Sequence, residues 1–388
     1  MQHLLLAVLM LAQPGPQSDA PTTQPAALTF ADRWAVTDVV RRPVVDVIAE
    51  DNPFPLYWAG SPHAFPVPEG VPVVGRVPTY ASHVLGFWPR IHAEHGVLHG
   101  GTPIAHNLEL HLAKLREQLT RRDAKPAFVG DEIRASGFIC FDFESWPIAW
   151  DRVNDRYRTL AIEQIRERNP DAVRYMSDEQ VAELTGREWE RRANQLFIRS
   201  AEVVREIIPG TKVGYYELTV KRKVWGDDWD VDSDAAREWR KLNEVAMPTV
   251  RASDVLFPSI YNFYPNGGND GIGYVRFNVG EARRLADLAN AEDDGDRLVL
   301  PFVWALVHPS NKVVPYTAVS ADDAAASILG SHEVGADGIA FWDGAQLWDR
   351  YRDVRRKDFR SQVWPLYTEL YAEPYAQVIA REKARADE

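Results

Sequence analysis

The chain has 388 residues, of which 45% are hydrophobic and 26% are charged, a profile of globular rather than disordered or fibrous proteins. Lysine and arginine number 44 against 56 aspartates and glutamates, so the formal net charge is −12. This charge argues against nucleic acid and anionic membranes as partners, and it disfavours a polyanionic substrate.

The first 27 residues are predicted to be a signal peptide and a flexible lead-in. The apolar run at residues 4–12 is too short to span a bilayer, which needs about 20 residues, but it fits the core of a signal peptide. Of the three residues before the run, only His3 has a basic side chain, so the usual lysines and arginines are missing. We expect a secreted or periplasmic protein with no later membrane span.

Short apolar runs alternate with helical stretches along the rest of the chain. The predicted strands lie at residues 54–59, 71–77, 136–143, 212–218, 254–261, 298–306 and 338–342. Strands that alternate with helices predict parallel β/α units, closed into a TIM-type barrel of the α/β class. Because no linker or internal repeat interrupts it, we expect one barrel domain at residues 28–372, then a charged helical tail at 373–388.

Two helices carry clear signals. Residues 176–208 repeat apolar and small residues at steps of three and four, which forms one buried face. Ser177 with Gln180 predicts a capping box at the start of this helix, and Pro209-Gly210 predicts its end. A second helix is expected after Asn107, which is a plausible N-cap.

Residues 136–146 are the most informative segment. Side chains alternate along a strand, so Cys140, Asp142 and Glu144 should share one face while Ile139 and Phe141 face the other way. Two acids at the end of an apolar strand are costly unless they have partners or a task. The C-terminal ends of barrel strands carry active sites, and paired carboxylates can cleave glycosidic bonds. The alternative is a structural acid pair bridged to arginine or lysine.

Cys140 is the only cysteine, so no intrachain disulfide can form within these residues. Its apolar surroundings favour a buried thiol rather than a nucleophile. Stability must therefore come from a large core.

Several motifs occur in a defined order. They are Phe-Pro-Leu-Tyr-Trp at 54–58, Leu-Gly-Phe-Trp-Pro at 85–89, Gly-Gly-Thr-Pro at 100–103, His-Leu-Ala-Lys at 111–114, Phe-Asp-Phe-Glu-Ser-Trp at 141–146, Gly-Tyr-Tyr at 214–216, Pro-Ser-Ile-Tyr at 258–261 and Gly-Ile-Ala-Phe-Trp at 338–342. In this order and spacing they resemble the motifs of the animal and venom hyaluronidases (glycoside hydrolase family 56), over most of residues 50 to 350.

The resemblance implies roles for individual residues. Glu144 would be the general acid/base, and Asp142 would hold the substrate's N-acetyl group, whose carbonyl oxygen acts as the internal nucleophile. Tyr216 and Tyr261 match tyrosines near the acetamido sugar, and Trp342 matches the tryptophan that closes the pocket. An aromatic wall of this kind excludes water and gives a sugar an apolar face.

The resemblance also implies a role for Trp146 and an activity for the whole protein. Trp146, in the catalytic segment, is expected among the substrate-binding residues. The chain would be a secreted, retaining glycoside hydrolase that acts beside an N-acetylated hexosamine in a polysaccharide, either glycosaminoglycan-like or another N-acetylhexosamine glycan. We expect a monomer that needs no cofactor and no metal.

Some residues depart from the family pattern. The family's disulfides cannot form here, and Pro147 stands where many members carry arginine. Glu-Leu-Thr-Val at 217–220 replaces an aromatic, proline-rich turn. Lys-Arg-Lys at 221–223 could supply cations to an acidic sugar or could equally form a solvated loop. These departures argue against hyaluronan itself more than against cleavage beside an N-acetylhexosamine.

Two alternatives stay open. One is a glycosidase of the same fold that acts on a different glycan, with Asp142 in a purely electrostatic role. The other is a non-catalytic barrel that binds polysaccharide.

Overall fold

The structure is a computed structural model. It describes residues 52–59, 67, 71–121, 129–219, 230–263, 271–342 and 356–386. The expected signal peptide and lead-in lie outside these ranges, as does the basic segment at 221–223. Among the helices of the described ranges, none has the length and apolar character that crossing a membrane requires.

Parallel strands form the centre of the fold. The strands are β1 (Leu56–Ala59), β2 (Gly75–Val77), β3 (Thr79–Ala81), β4 (Arg90–His92), β5 (Gly96–Leu98), β6 (Phe138–Asp142), β7 (Lys212–Tyr216), β8 (Val255–Phe257), β9 (Leu298–Val299), β10 (Phe302–Val303) and β11 (Ile339–Trp342). Except for the antiparallel hairpin β4–β5, all of them pair in parallel, in the two runs β10-β11-β1-β2 and β3-β6-β7-β8-β9.

Two strands, each interrupted by a proline, belong to both runs and so close the barrel. Pro78 separates β2 from β3, and its carbonyl accepts a hydrogen bond from the Cys140 N–H at 2.9 Å. Pro301 lies between β9 and β10 and accepts from the Ala340 N–H at 2.9 Å. Because proline has no N–H, a strand can continue through it only with a break in the pairing. Counting β2–β3 and β9–β10 as single broken strands, the described residues contain seven barrel strands. The predicted TIM-type barrel is confirmed.

Helices surround this barrel. They are α1 (Leu108–Thr120), α2 (Val129–Ser136), α3 (Asp155–Arg168), α4 (Pro170–Val173), α5 (Asp178–Ile207), α6 (Asp234–Glu244), α7 (Met247–Ala252), α8 (Gly271–Asp293), α9 (Ala321–Glu333) and α10 (Arg356–Ala386). The predicted caps are confirmed, since Asn107 accepts from the Leu110 N–H and Ser177 forms a capping box with Gln180.

The buried apolar residues form two clusters, and strand β6 divides them. Ile139 and Phe141 belong to a cluster with helices α1, α3 and α5, while Cys140 belongs to a cluster with β1, β8, β11 and helices α8 to α10. Consecutive side chains of β6 therefore alternate between the two sides of the barrel wall, as the sequence predicts. Cys140 is fully buried.

Helix α10 closes one side of the barrel. It runs through residue 373, where the sequence predicts the tail to begin, and Pro365 and Pro374 lie inside it. Tyr367 contacts Trp58 of β1 with ring centroids 5.0 Å apart, and Val378 is also buried. The division of the chain into a domain and a tail stays a prediction.

Candidate active site

Asp142 and Glu144 lie together at the C-terminal end of β6. Asp142 is the last residue of the strand and is partly buried, whereas Glu144 follows two residues later and is exposed. The two side chains share a hydrogen bond. Two carboxyl groups can share a hydrogen bond only if at least one of them carries a proton.

The surroundings raise the pKa of Asp142 to about 6. Burial is the main cause, because a charged carboxylate loses hydration inside the protein. The hydrogen bond with Glu144 acts in the opposite direction, and the nearby charge of Glu217 adds to the increase. Asp142 therefore exchanges its proton close to neutral pH, which is the range in which acid/base catalysis operates.

Two tyrosines border the acid pair. Tyr216 ends β7, the strand next to β6, and Tyr261 follows β8 by four residues. Their side chains share a hydrogen bond, and Tyr216 shares a second one with Ser259. Burial raises the pKa of both phenols well above 10, so both hydroxyls keep their protons. One of these protons forms the bond between the two tyrosines, and the other is left to donate to a ligand.

Trp342 completes an aromatic wall. It is the last residue of β11 and is partly exposed. Its ring stacks on Tyr261 with centroids 5.5 Å apart, and Trp304 contacts it edge-on at 5.0 Å. The Tyr261 ring stacks on His308 at 6.1 Å. Tyr261 and Trp304 are buried, whereas Tyr216 and Trp342 are partly exposed. The partly exposed rings are of the type on which a sugar ring can lie, and the buried rings support them from behind.

Trp146 has a different position from the other predicted residues. Only 4% of its surface is exposed, and it contacts Phe143 and Trp189 in the cluster outside the barrel. Its indole N–H donates to the Pro89 carbonyl at 2.8 Å. The structure therefore brings Asp142, Glu144, Tyr216, Tyr261 and Trp342 to one end of the barrel and places Trp146 behind the catalytic segment.

Some residues at this site have only weak sequence signals. Ser259 lies in the Pro-Ser-Ile-Tyr motif, but nothing in the sequence indicates its bond to Tyr216. Trp304 and His308 lie in or just after the predicted strand at 298–306 and join the aromatic wall. Glu217, which stands out in the sequence as a departure from the family pattern, lies close enough to act on Asp142 and both tyrosines.

Comparison with known proteins identifies one family. The family model described as hyaluronidase matches residues 73–356. Hyaluronidase-3 of Cerastes cerastes is 25% identical over 275 residues, which cover 69% of this chain and 57% of that protein. The hyaluronidase of Apis mellifera is 24% identical over 247 residues, covering 63% of this chain and 59% of that protein. The chain thus matches less than two thirds of the length of these relatives.

Solved structures show the same fold. The crystal structure of bee venom hyaluronidase in complex with a hyaluronic acid tetramer superposes with a TM-score of 0.65 at 19% identity, covering 82% of this chain and 99% of that one. The family match covers well over half of the present sequence. The chain belongs to the hyaluronidase family, glycoside hydrolase family 56.

Proposed function

We propose that this protein is a glycoside hydrolase that cleaves a polysaccharide beside an N-acetylated hexosamine with retention of configuration. The observation that carries the proposal is the hydrogen-bonded pair of Asp142 and Glu144, which lies beside the Tyr216–Tyr261 pair at the mouth of the barrel. Names of relatives add support, because they are hyaluronidases, and the bee venom structure holds a hyaluronic acid tetramer.

In the proposed first step, the acetamide carbonyl oxygen of the substrate attacks the anomeric carbon. The glycosidic bond breaks as Glu144 gives its proton to the leaving oxygen, and an oxazolinium ion remains. Asp142 orients the acetamide N–H and balances the positive charge of that ion, which its partly buried position strengthens. This substrate-assisted route is an exception to the scheme with a carboxylate nucleophile.

In the second step, Glu144 takes a proton from water, which attacks the anomeric carbon and opens the oxazolinium ring. Because each step inverts the anomeric carbon, the overall result is retention. The exposure of Glu144 suits this exchange with water. Asp142, with a pKa of about 6, is a carboxylate at neutral pH and can therefore balance the charge of the ion.

Tyr216, Tyr261 and Trp342 are proposed to hold the acetamido sugar through their hydroxyls and ring faces. Trp146 is proposed to support the catalytic segment from behind, because its N–H is bonded to Pro89 and its ring is buried. The apolar run at residues 4–12 supports secretion. The reaction as proposed uses no cofactor or metal.

The test compares the protein with its Glu144→Gln variant on hyaluronan, chondroitin, chitin fragments and neutral glycans. We expect the native protein to release products from an N-acetylhexosamine polymer with the β anomer formed first, as read by proton NMR. The variant should lose at least about a hundredfold in kcat, in the range that general acid catalysis contributes. An unchanged melting temperature establishes that the variant folds, and full turnover by it would refute the assignment.

A further inference from the structure

Glu144 lies in a segment, residues 142–146, that continues beyond its strand. The parallel pairing of β6 with β3 ends with Asp142 opposite Ala81. Glu144 follows these paired residues, and it is the only exposed residue among residues 142–146. The direction of its carboxyl group therefore depends on how its neighbours in the chain are held.

The loop that follows β3 holds three of these neighbours. Its contacts are a hydrogen bond from the Ser82 N–H to the Asp142 carbonyl at 3.0 Å, a stack of the Trp88 ring on Phe143 with centroids 4.9 Å apart, and a hydrogen bond from the Trp146 indole N–H to the Pro89 carbonyl at 2.8 Å. Residues before and after Glu144 are thus fixed to the same loop. Ser145, which directly follows Glu144, is held from a different direction.

Tyr157, in the first turn of helix α3, contacts Ser145. Its hydroxyl accepts a hydrogen bond from the Ile91 N–H of β4 at 3.0 Å, and it shares a second hydrogen bond with the Ser145 side chain. Only 6% of the Tyr157 surface is exposed, and its backbone N–H is bonded to the N-cap Asn154. One buried oxygen therefore joins the residue after Glu144 to the hairpin β4–β5 and to helix α3.

The hydroxyl of Tyr157, rather than its ring, bears on Glu144. The ring packs against Trp189 with centroids 6.3 Å apart, a contact that phenylalanine would also make. A buried hydroxyl is costly unless it is hydrogen-bonded, and here its partners come from two other parts of the chain. A displacement of about 1 Å at a reacting group can cost roughly a hundredfold in rate, so a link beside the acid affects catalysis.

We propose that the Tyr157 hydroxyl is a positioning group, which acts through Ser145 to aim Glu144 at the oxygen of the leaving sugar. The inference rests on the proposed function, since it concerns the acid of that same site. Without the hydroxyl, Ser145 and Glu144 would sample several directions, and fewer of these would allow the proton to be transferred. The phenol is buried, so we assign it no contact with the substrate.

Leaving groups of different acidity test this positioning. A sugar needs a proton from Glu144 in order to leave, whereas dinitrophenolate leaves without one. The substrates are the fragment of hyaluronan, chondroitin or chitin that the native protein cleaves fastest, and the dinitrophenyl glycoside of its product. For Tyr157→Phe we expect kcat/KM on the fragment to fall about tenfold through kcat, with KM within twofold. On the dinitrophenyl glycoside, kcat/KM should stay within twofold of the native value.

Three further variants make the result specific. Glu144→Gln should show the same dependence on the leaving group with a larger loss, at least about a hundredfold on the fragment. Ser145→Ala should match Tyr157→Phe, and the two combined should cost no more than either alone, because they break one link. Ser145 is partly exposed, so its variant provides the test even if Tyr157→Phe folds poorly.

Tyr215→Phe is the matched control. It removes another buried hydroxyl of the same apolar cluster, one that donates to the Phe197 carbonyl. It should leave kcat/KM on both substrates within twofold, even if its melting temperature falls as much as that of Tyr157→Phe.

The outcomes separate the two proposals. The positioning role would be overturned, with the hydrolase assignment intact, by equal losses of Tyr157→Phe on both substrates, by a rise in KM without a change in kcat, or by additive losses in the combined variant. Unchanged kinetics of both Tyr157→Phe and Ser145→Ala, or an equal loss in Tyr215→Phe, would also overturn it. Full turnover by Glu144→Gln, or a native protein that cleaves none of the fragments, would overturn the hydrolase assignment itself and the positioning role with it.

Discussion

The indole ring of Trp342 lies nearly parallel to the phenol ring of Tyr261, with 21° between their planes and 5.5 Å between their centroids. The two rings come from the ends of different strands, β11 and β8, and the Tyr367 hydroxyl donates to the Trp342 carbonyl. The stack is therefore held by the barrel and by helix α10 together. It provides a preformed apolar face, so little side-chain conformational entropy is lost when a sugar binds.

Replacing Trp342 with alanine should weaken substrate binding. The change removes the ring that the acetamido sugar is proposed to contact, so we expect KM to rise about tenfold or more while kcat falls less. This corresponds to losing about 1.4 kcal/mol or more of stacking. Steady-state kinetics on an N-acetylhexosamine oligomer measures both constants. Equal KM values for the variant and the native protein would exclude Trp342 from substrate binding.

A variant of Trp146 serves as the control for Trp342→Ala. Trp146→Phe keeps an aromatic ring in the outer cluster but removes the N–H that donates to Pro89, so we expect the free energy of unfolding to fall by about 1 kcal/mol. KM should stay within twofold of the native value, because the ring lies behind the catalytic segment. Urea denaturation and steady-state kinetics measure the two quantities. A rise in KM equal to that of the Trp342 variant would restore Trp146 to the substrate-binding residues.

Asp142→Asn should show whether the acetamide takes part in catalysis. Asparagine keeps the shape of the side chain but cannot balance the charge of an oxazolinium ion, so kcat on an N-acetylated glycan should fall about a hundredfold or more. Rates are compared between the N-acetylated glycan and its N-deacetylated form. The native protein should strongly favour the acetylated form. Unchanged rates in the variant would contradict the substrate-assisted step and favour a glycosidase of the same fold that acts on a different glycan.

The same substitution should stabilise the protein in a pH-dependent manner. The pKa of Asp142 is raised from 3.8 to about 6, mainly by burial, so the folded state binds a proton more tightly than the unfolded state does. The stability that this gives is present below pH 4 and is lost as the pH rises through about 6. The melting temperature of Asp142→Asn should therefore exceed that of the native protein more at pH 8 than at pH 4.

Thermal unfolding at both pH values measures the difference, and Asp171→Asn, at an exposed position, serves as the control. A gain in melting temperature that is the same at pH 4 and pH 8 would contradict the explanation by charge burial.

Two buried histidines should make the protein sensitive to acid. Burial lowers the pKa of His106 to about 4 and that of His111 to about 3, while the unfolded value is about 6.5. The unfolded state therefore binds more protons below pH 6.5, and stability is lost as the pH falls from there towards 4. Each histidine should contribute up to about 1.4 kcal/mol per pH unit in this range.

His111→Asn should reduce the slope of unfolding free energy against pH by about one proton between pH 6.5 and 5. Urea denaturation at several pH values provides the slope, and His95→Gln, at an exposed site, controls for loss of a histidine. An identical slope in the His111 variant would rule out this residue as an origin of the acid sensitivity.

The strands were the most predictable part of the fold. Each predicted strand contains a strand of the barrel, because buried parallel strands leave continuous apolar runs in the sequence. The continuation of the second strand into β3 was not predicted, since Pro78 normally marks the end of a strand. Helix α10 likewise begins at Arg356, well before residue 373, although Pro365 and Pro374 would usually interrupt a helix.

Alternation along the strand accounts only for the predicted acid pair, whereas Tyr216, Tyr261, Trp342 and Trp146 were predicted from the resemblance to the hyaluronidases. It placed Asp142 and Glu144 on one side, and their shared hydrogen bond agrees with that. Continued by two more residues, the same alternation would put Trp146 beside them. Strand β6 ends at Asp142, however, and after it the chain turns so that Trp146 enters the outer cluster. Side chains alternate between two faces only where the chain is a strand, so the alternation cannot be extended beyond Asp142.

The single cysteine gives this barrel a built-in probe. The Cys140 side chain is fully enclosed two residues before Asp142, and burial raises the pKa of its thiol well above 9. Thiol-specific reagents attack only an accessible thiolate, so labelling of the native protein can proceed only through molecules whose barrel has opened. The rate of labelling by a disulfide reagent would then report how often the wall beneath the acid pair comes apart, without any engineered cysteine.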